Sequence, residues 1–305
     1  MIETKSLVKR FGDFTALYDI NCTLPDGSIF GMVGSNGAGK STFLRIVTGV
    51  YRADEGLVLM DGEPIYENPK AKAQIAYIPD DLYFLGGATL DRMASAYKSL
   101  FPNFSKERYE YFTKELNLPR NKSIATFSKG MKRQAVTALA LATCPKYIFF
   151  DETFDGMDPV VRSYVKKLIC RDVYDRGASA VITSHSLREL EDTCDRLALL
   201  HKGGIVLQNE VQNLKTRHFK VQIAFKEPFD AGKFSGLKVD RCSINGSVAN
   251  LIVNDEREKT LGYLESLNPV LCEVLPLTLE EVFTFEMEAL GYTFNLESGG
   301  ENYEK

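Results

Sequence analysis

Residues 34–41, Gly34-Ser-Asn-Gly-Ala-Gly-Lys40-Ser41, decide how the chain is read. They fit G-x-x-x-x-G-K-[ST] at every fixed position. They also lie between an apolar run, Ser28 to Val33, and a stretch from Lys40 to Gly49 in which Phe43, Leu44, Ile46 and Val47 recur at helical spacing. Strand, glycine-rich loop and helix in that order predict a phosphate-binding P-loop. Glycines let the backbone curl until successive N–H groups face a β-phosphate, and the helix N-terminus adds positive potential. Nucleotide contacts are therefore expected from Asn36, Gly37, Ala38, Gly39, Lys40, Ser41 and Thr42. Lys40 would reach the β- and γ-phosphates of ATP and the Ser41 hydroxyl would ligate Mg²⁺.

Such a loop needs a carboxylate at the end of a neighbouring strand to hold the metal. Lys146 to Phe150 is a β-rich apolar run followed by Asp151 and Glu152. Asp151 is the expected Mg²⁺ ligand and Glu152 the expected general base toward the attacking water. Gln74 to Ile78 and Ala178 to Thr183 are two more apolar runs without polar alternation, the pattern of strands covered on both faces. The second is followed by Ser184 and His185, one helix-plus-strand unit after Glu152. That spacing predicts His185 on an adjacent parallel strand, near a γ-phosphate, as a catalytic partner.

Outward from this centre the chain divides. Leu90 to Leu118 carries helical spacing and no strand signal, which predicts a helical insert over about 82–143. The alternation of strands and helices to about residue 210 argues for an α/β domain. Past Leu214 the texture changes: Phe219 to Phe225 alternates, and Asn245-Gly246 before Val248 to Val253 signals a type I′ hairpin. A helix over Glu256 to Leu267, a strand over Val270 to Leu275, and a capping box of Thr278 and Glu281 opening a helix to about Leu290 complete a small α+β domain, 216–305. Leu279, Val282, Phe283 and Met287 read as its core, and Glu297 to Lys305 as a polar tail.

Composition narrows the function. In 305 residues, 44% hydrophobic and 26% charged, no apolar run reaches the length of a membrane span, and Met1 to Lys5 has no signal-peptide pattern, so a cytoplasmic chain without direct membrane insertion is expected. The net charge of -4 and the lack of a basic arm argue against bulk binding of nucleic acid. The six cysteines show no C-x-x-C spacing, so reduced, mostly buried thiols are expected instead of a disulfide framework or zinc site.

Phe127-Ser128-Lys129-Gly130-Met131-Lys132-Arg133-Gln134 opens a helix ending just before the Asp151 strand. It resembles the signature of the ATP-binding cassette (ABC) family in its G-M-K-R-Q variant. Phe11, in Lys9-Arg-Phe-Gly12, is similar to the family's adenine-stacking aromatic, and Phe154-Asp155-Gly156-Met157-Asp158 to its D-loop. The resemblance covers about residues 1 to 215. It implies a P-loop NTPase ABC cassette, with a mixed sheet core and a helical subdomain, whose nucleotide sites form head to tail between two cassettes, as a homodimer or with a paired ABC subunit. Ser128 and Gly130 would then reach the γ-phosphate bound by the other cassette, with Asp155 or Asp158 beside them, and hydrolysis would loosen the pair.

The chain departs from the family twice. Tyr77-Ile-Pro-Asp80 carries Asp80 where the family has a Mg²⁺-ligating Gln, and Thr153 follows Glu152 where the family usually has Pro. Asp80 is expected to keep the metal role. The resemblance is strongest to the ATPases of ABC-2 type exporters of Gram-positive bacteria. It implies an ATPase working with a separate transmembrane permease, held through it at the inner face of the cell membrane. A non-transport soluble ABC ATPase, a nucleotide-dependent switch and an importer are the alternatives this reading leaves open.

Overall fold

The structure, a computed structural model, describes residues 1–211, 219–253, 255–275, 277–282 and 284. The chain forms two compact units, Met1–Gln208 and Asn209–Lys305, with the division a few residues ahead of the expected one.

The first unit begins with β1 (Ile2–Phe11), β2 (Phe14–Leu24), β3 (Ile29–Val33), α1 (Lys40–Val47), β4 (Glu55–Met60), β5 (Glu63–Pro64), α2 (Pro69–Lys72) and β6 (Ile75–Ile78). It continues with α3 (Leu90–Leu100), α4 (Lys106–Glu115), α5 (Lys129–Ala142), β7 (Tyr147–Asp151), α6 (Pro159–Arg176), β8 (Ser179–Ser184), α7 (Leu187–Glu191), β9 (Arg196–His201) and β10 (Gly204–Glu210). A six-stranded sheet in the order β10-β9-β3-β8-β7-β6 forms its centre, and β9, β3, β8, β7 and β6 are parallel. β3, β7 and β8 are buried at every residue, which is why their sequences are mostly apolar without polar alternation.

A second sheet, β2-β1-β4-β5, is antiparallel and was not expected from the patterning. α1 packs against β2 of this sheet and β7 of the other, and Phe43, Leu44 and Val47 are fully buried in a shared core with Ile2, Leu17 and Phe149. Each such side chain contributes about 1.5–3 kcal/mol, so α1 and the loop before it are rigidly seated.

The expected helical insert consists of α3, α4 and α5, capped by Thr89, Ser105 and Ser128. Buried Asp172 of α6 pairs with Arg108 of α4 and, at 2.7 Å, with Arg176, which ties the insert to the sheet domain. All six cysteines are free.

The second unit holds β11 (Phe219–Ala224), β12 (Val239–Asn245), β13 (Val248–Val253), α8 (Arg257–Ser266) and β14 (Leu271–Leu275), with the antiparallel order β12-β13-β11-β14. Its core gathers Val221, Ile223, Ala249, Leu251 and Leu264. The hairpin corrects the expected turn type. Asn245 pairs with Val248, so Gly246 and Ser247 are the central residues, and only Gly246 has a positive φ, 62°. Glycine at the first central position is the type II′ pattern. The capping box is present, with Glu281 N–H donating to Thr278 Oγ1 at 3.2 Å and Thr278 N–H to Glu281 Oε2 at 3.0 Å. Leu279 and Val282 are buried as expected. Phe283, Met287, the helix end near Leu290 and the tail lie outside the described residues.

Candidate nucleotide-binding site

The P-loop leaves β3 and enters α1, as its residue types require. Gly34 comes so close to β9 that an added Cβ would lie 2.3 Å from the Leu200 carbonyl oxygen. Gly39, at φ 108°, is the N-cap of α1 and brings no side-chain acceptor, so the first-turn N–H groups stay open toward an anion. α5 differs, because Ser128 Oγ accepts from Met131 N–H at 3.2 Å.

Lys40 Nζ is buried and saturated: it donates to Gly34 O at 2.7 Å and Ser35 O at 3.1 Å, and lies 3.0 Å from Glu152 Oε1. Glu152 Oε2 is 3.2 Å from His185 Nδ1, and Asp155 Oδ2 is 3.8 Å from the same nitrogen. β7 and β8 are adjacent, so the ends of these two strands bring Glu152 and His185 together, as the spacing predicted. Glu152 itself has φ 44°, a left-handed conformation costly for a residue with a side chain, and its N–H is held by Thr183 Oγ1 at 3.0 Å. Burial alone would raise its pKa, but the hydrogen bond and charge of Lys40, with those of His185, outweigh this and hold the carboxyl below its ordinary value.

Asp151 is completely buried and accepts three hydrogen bonds of 3.0 Å, from Ser41 Oγ and Thr183 Oγ1 on Oδ1 and from Tyr77 OH on Oδ2. Burial dominates and raises its pKa in spite of these donors. A carboxylate this desolvated, with a serine hydroxyl beside it, is a hard oxygen pair that fits Mg²⁺. Tyr77 and Thr183 are hydrogen-bond partners of Asp151 that no motif marks. Tyr77 stands in the quoted Tyr-Ile-Pro-Asp segment, and Thr183 is a polar residue directly after the apolar stretch Ala180 to Ile182. Arg45 of α1 faces Tyr77 and donates to Tyr51 OH at 3.3 Å, and Tyr51 meets Phe11 edge to face at 5.9 Å. Phe11 is 46% exposed at the end of β1.

Three expected site residues stand apart. Ser128 and Gly130 make no hydrogen bond to Lys40, Asp151 or Glu152; they start α5, where Gly130 abuts Gly156 and Met157. Asp80, the expected metal ligand, is likewise absent from the hydrogen bonds of Ser41 and Asp151. Its Oδ1 lies 2.5 Å from Arg133 Nη2 of α5, because a buried guanidinium draws the carboxylate it can reach.

A P-loop, a buried strand-end aspartate with a following glutamate, and a facing histidine, all on a parallel sheet with a helical insert, define a nucleotide-binding P-loop ATPase. The ABC transporter family profile matches residues 17–155. The chain is 30% identical to the ABC transporter ATP-binding protein YtrB of Bacillus subtilis (strain 168), over 93% of this chain and 97% of that protein. It is 32% identical to the lipopolysaccharide export system ATP-binding protein LptB of Haemophilus influenzae, over 68% of this chain and 89% of that protein. The fold is similar to the dimeric post-hydrolysis structure of the ATP-binding cassette MJ0796 bound to ADP and Pi, with TM-score 0.63 and 20% identity over 69% of this chain and 99% of that one. The chain belongs to the ABC transporter family, as an ATP-binding ATPase subunit. No helix among the described residues is long and apolar enough to cross a membrane.

Proposed function

We infer that this chain is the ATPase subunit of an ABC-2 type exporter and works head to tail with a second cassette beneath a separate permease. The observation that carries the enzymatic part is the Lys40–Glu152–His185 cluster beside Asp151 and Ser41. Export is supported by the G-M-K-R-Q signature and by the similarity to LptB, a protein named for an export system.

In this reading Phe11 stacks on adenine, and residues 36–42 bind the phosphates through open N–H groups and Lys40. Ser41 and Asp151 would hold Mg²⁺, which supplies charge neutralisation at the phosphate oxygens. The phosphate takes Lys40 from Glu152, and this exchange frees Glu152 Oε1. Glu152, already ionised, accepts the proton of the attacking water, while His185 holds Oε2 and fixes the carboxylate's direction. Ser128 and Gly130 at the start of α5 serve the γ-phosphate of the other cassette. The second unit is a packing or dimer-stabilising domain, and the whole resides at the inner membrane face through its permease, without nucleic acid.

The test compares ATP turnover of wild type and Glu152→Gln, with molecular size measured with and without ATP. The expected result is a loss of turnover of about 10²-fold or more, with an ATP-trapped dimer. Turnover within a few-fold of wild type would remove Glu152 from the role of base. Co-purification with a membrane subunit, followed by ATP-dependent cargo movement in vesicles, decides the direction of transport.

A further inference from the structure

Asp80 occupies the family's Gln position, yet it is engaged with the signature helix. Asp80 Oδ1 lies 2.5 Å from Arg133 Nη2. The Arg133 side chain is 1% exposed and that of Asp80 is 55% exposed. Nε and Nη1 of Arg133 are buried without a hydrogen-bond partner. Among the described residues Asp80 is the only carboxylate paired with this guanidinium. Arginine does not shed its proton, so a charge buried this deeply depends on its partner, and breaking such a pair from one side is strongly destabilising.

The two ends of the pair have different neighbours. Asp80 follows β6, two residues beyond Ile78, and Tyr77 on that strand donates to Asp151. Arg133 lies in the second turn of α5, behind Ser128 and Gly130. A neutral Gln could not balance Arg133, whereas an aspartate does. The departure from the family pattern therefore has a local physical reason that involves no metal.

We propose that Asp80 is a positioning residue: its ion pair with Arg133 tethers the start of α5 to the segment after β6, and it is not a Mg²⁺ ligand. The proposal rests on the cassette reading only in assigning Ser128 and Gly130 to the nucleotide of a second cassette. A carboxylate drawn away to a metal would strand the buried guanidinium, so tether and ligand are competing roles for the same group.

The experiment uses the full chain with Asp80→Asn, Asp80→Glu, Arg133→Gln and the double variant Asp80→Asn/Arg133→Gln. Thermal melting without nucleotide, ATP-driven dimerisation and the Mg²⁺ half-saturation of turnover are measured for each. Expected are a lower melting temperature for both neutralising single variants, no further loss in the double variant, and recovery in Asp80→Glu. Dimerisation should need at least tenfold more ATP in Asp80→Asn, while Mg²⁺ half-saturation moves less than twofold. A tenfold or larger shift in Mg²⁺ half-saturation at an unchanged melting temperature would overturn the tether, as would strictly additive melting effects. The melting measurements need no nucleotide, so they judge the tether even where ATP-driven dimerisation fails.

Discussion

Lys40 Nζ sits 3.0 Å from Glu152 Oε1, so the P-loop cation and the proposed general base hold each other across the ends of two elements. Both side chains are largely buried, at 4% and 15% exposure. In Glu152→Gln, Lys40 keeps its two carbonyl acceptors but loses its counter-charge, and a cost of about 1–3 kcal/mol is expected. The folded pKa of Glu152 is depressed, so its contribution is present above the unfolded value and is lost as pH falls through the folded one. Urea melts should show the wild-type advantage at pH 7 and its closure as pH drops below the ordinary value of 4.5. A gap that stays constant to low pH would mean the pair adds no stability.

Asp151 has the opposite sign. Its pKa is raised by burial, so its contribution is fully present below the unfolded value and is lost as pH rises through the folded one. Asp151→Asn should therefore melt at a higher temperature than wild type at pH 7 without metal. Mg²⁺ should raise the Tm of wild type and not of the variant. An unchanged or lower Tm in the variant would show that Ser41, Thr183 and Tyr77 already offset the burial of the charge.

Tyr77→Phe removes one donor from Asp151 Oδ2 and nothing from the P-loop. Partners of a metal-binding group typically alter affinity by 10–100-fold when lost, so Mg²⁺ half-saturation should weaken about tenfold. The maximal rate at saturating Mg²⁺ should change much less. Equal losses in both quantities would place Tyr77 in general packing.

Gly34→Ala would drive a Cβ to 2.3 Å from Leu200 O, a backbone atom that cannot swing aside. The P-loop must shift, at a cost of about 1–3 kcal/mol. Because the loop carries the phosphate-binding N–H groups, ATP affinity measured by calorimetry should fall at least tenfold. Normal affinity would show that the loop absorbs the displacement.

The parts legible in the sequence were those with a strong local pattern. β3, β7 and β8 are buried on both faces, so their interiors are mostly apolar and the runs stand out. β1, β2 and β4 did not stand out for a physical reason. The β1–β2 ladder shifts register between Thr4 and Leu7, again before Lys9 and again before Arg10, and such irregularities interrupt the period-two alternation. The turn at Gly246 was found but assigned one residue early, because Asn245 remained in the ladder.

Residue chemistry and spacing by themselves determined that this chain has a P-loop, that Asp151 and Glu152 end a strand, and that His185 ends another. These follow from short-range rules of glycine conformation, helix N-termini and apolar periodicity, which a linear string records. Only the tertiary structure decided how the groups are paired. Ser41 meets Asp151 across 110 residues, Tyr77 meets it across 74, and Asp80 turns to Arg133 across 53. Such choices depend on which buried charge has a carboxylate or hydroxyl within about 3 Å, a distance set by packing of sheets and helices and by nothing local to either residue.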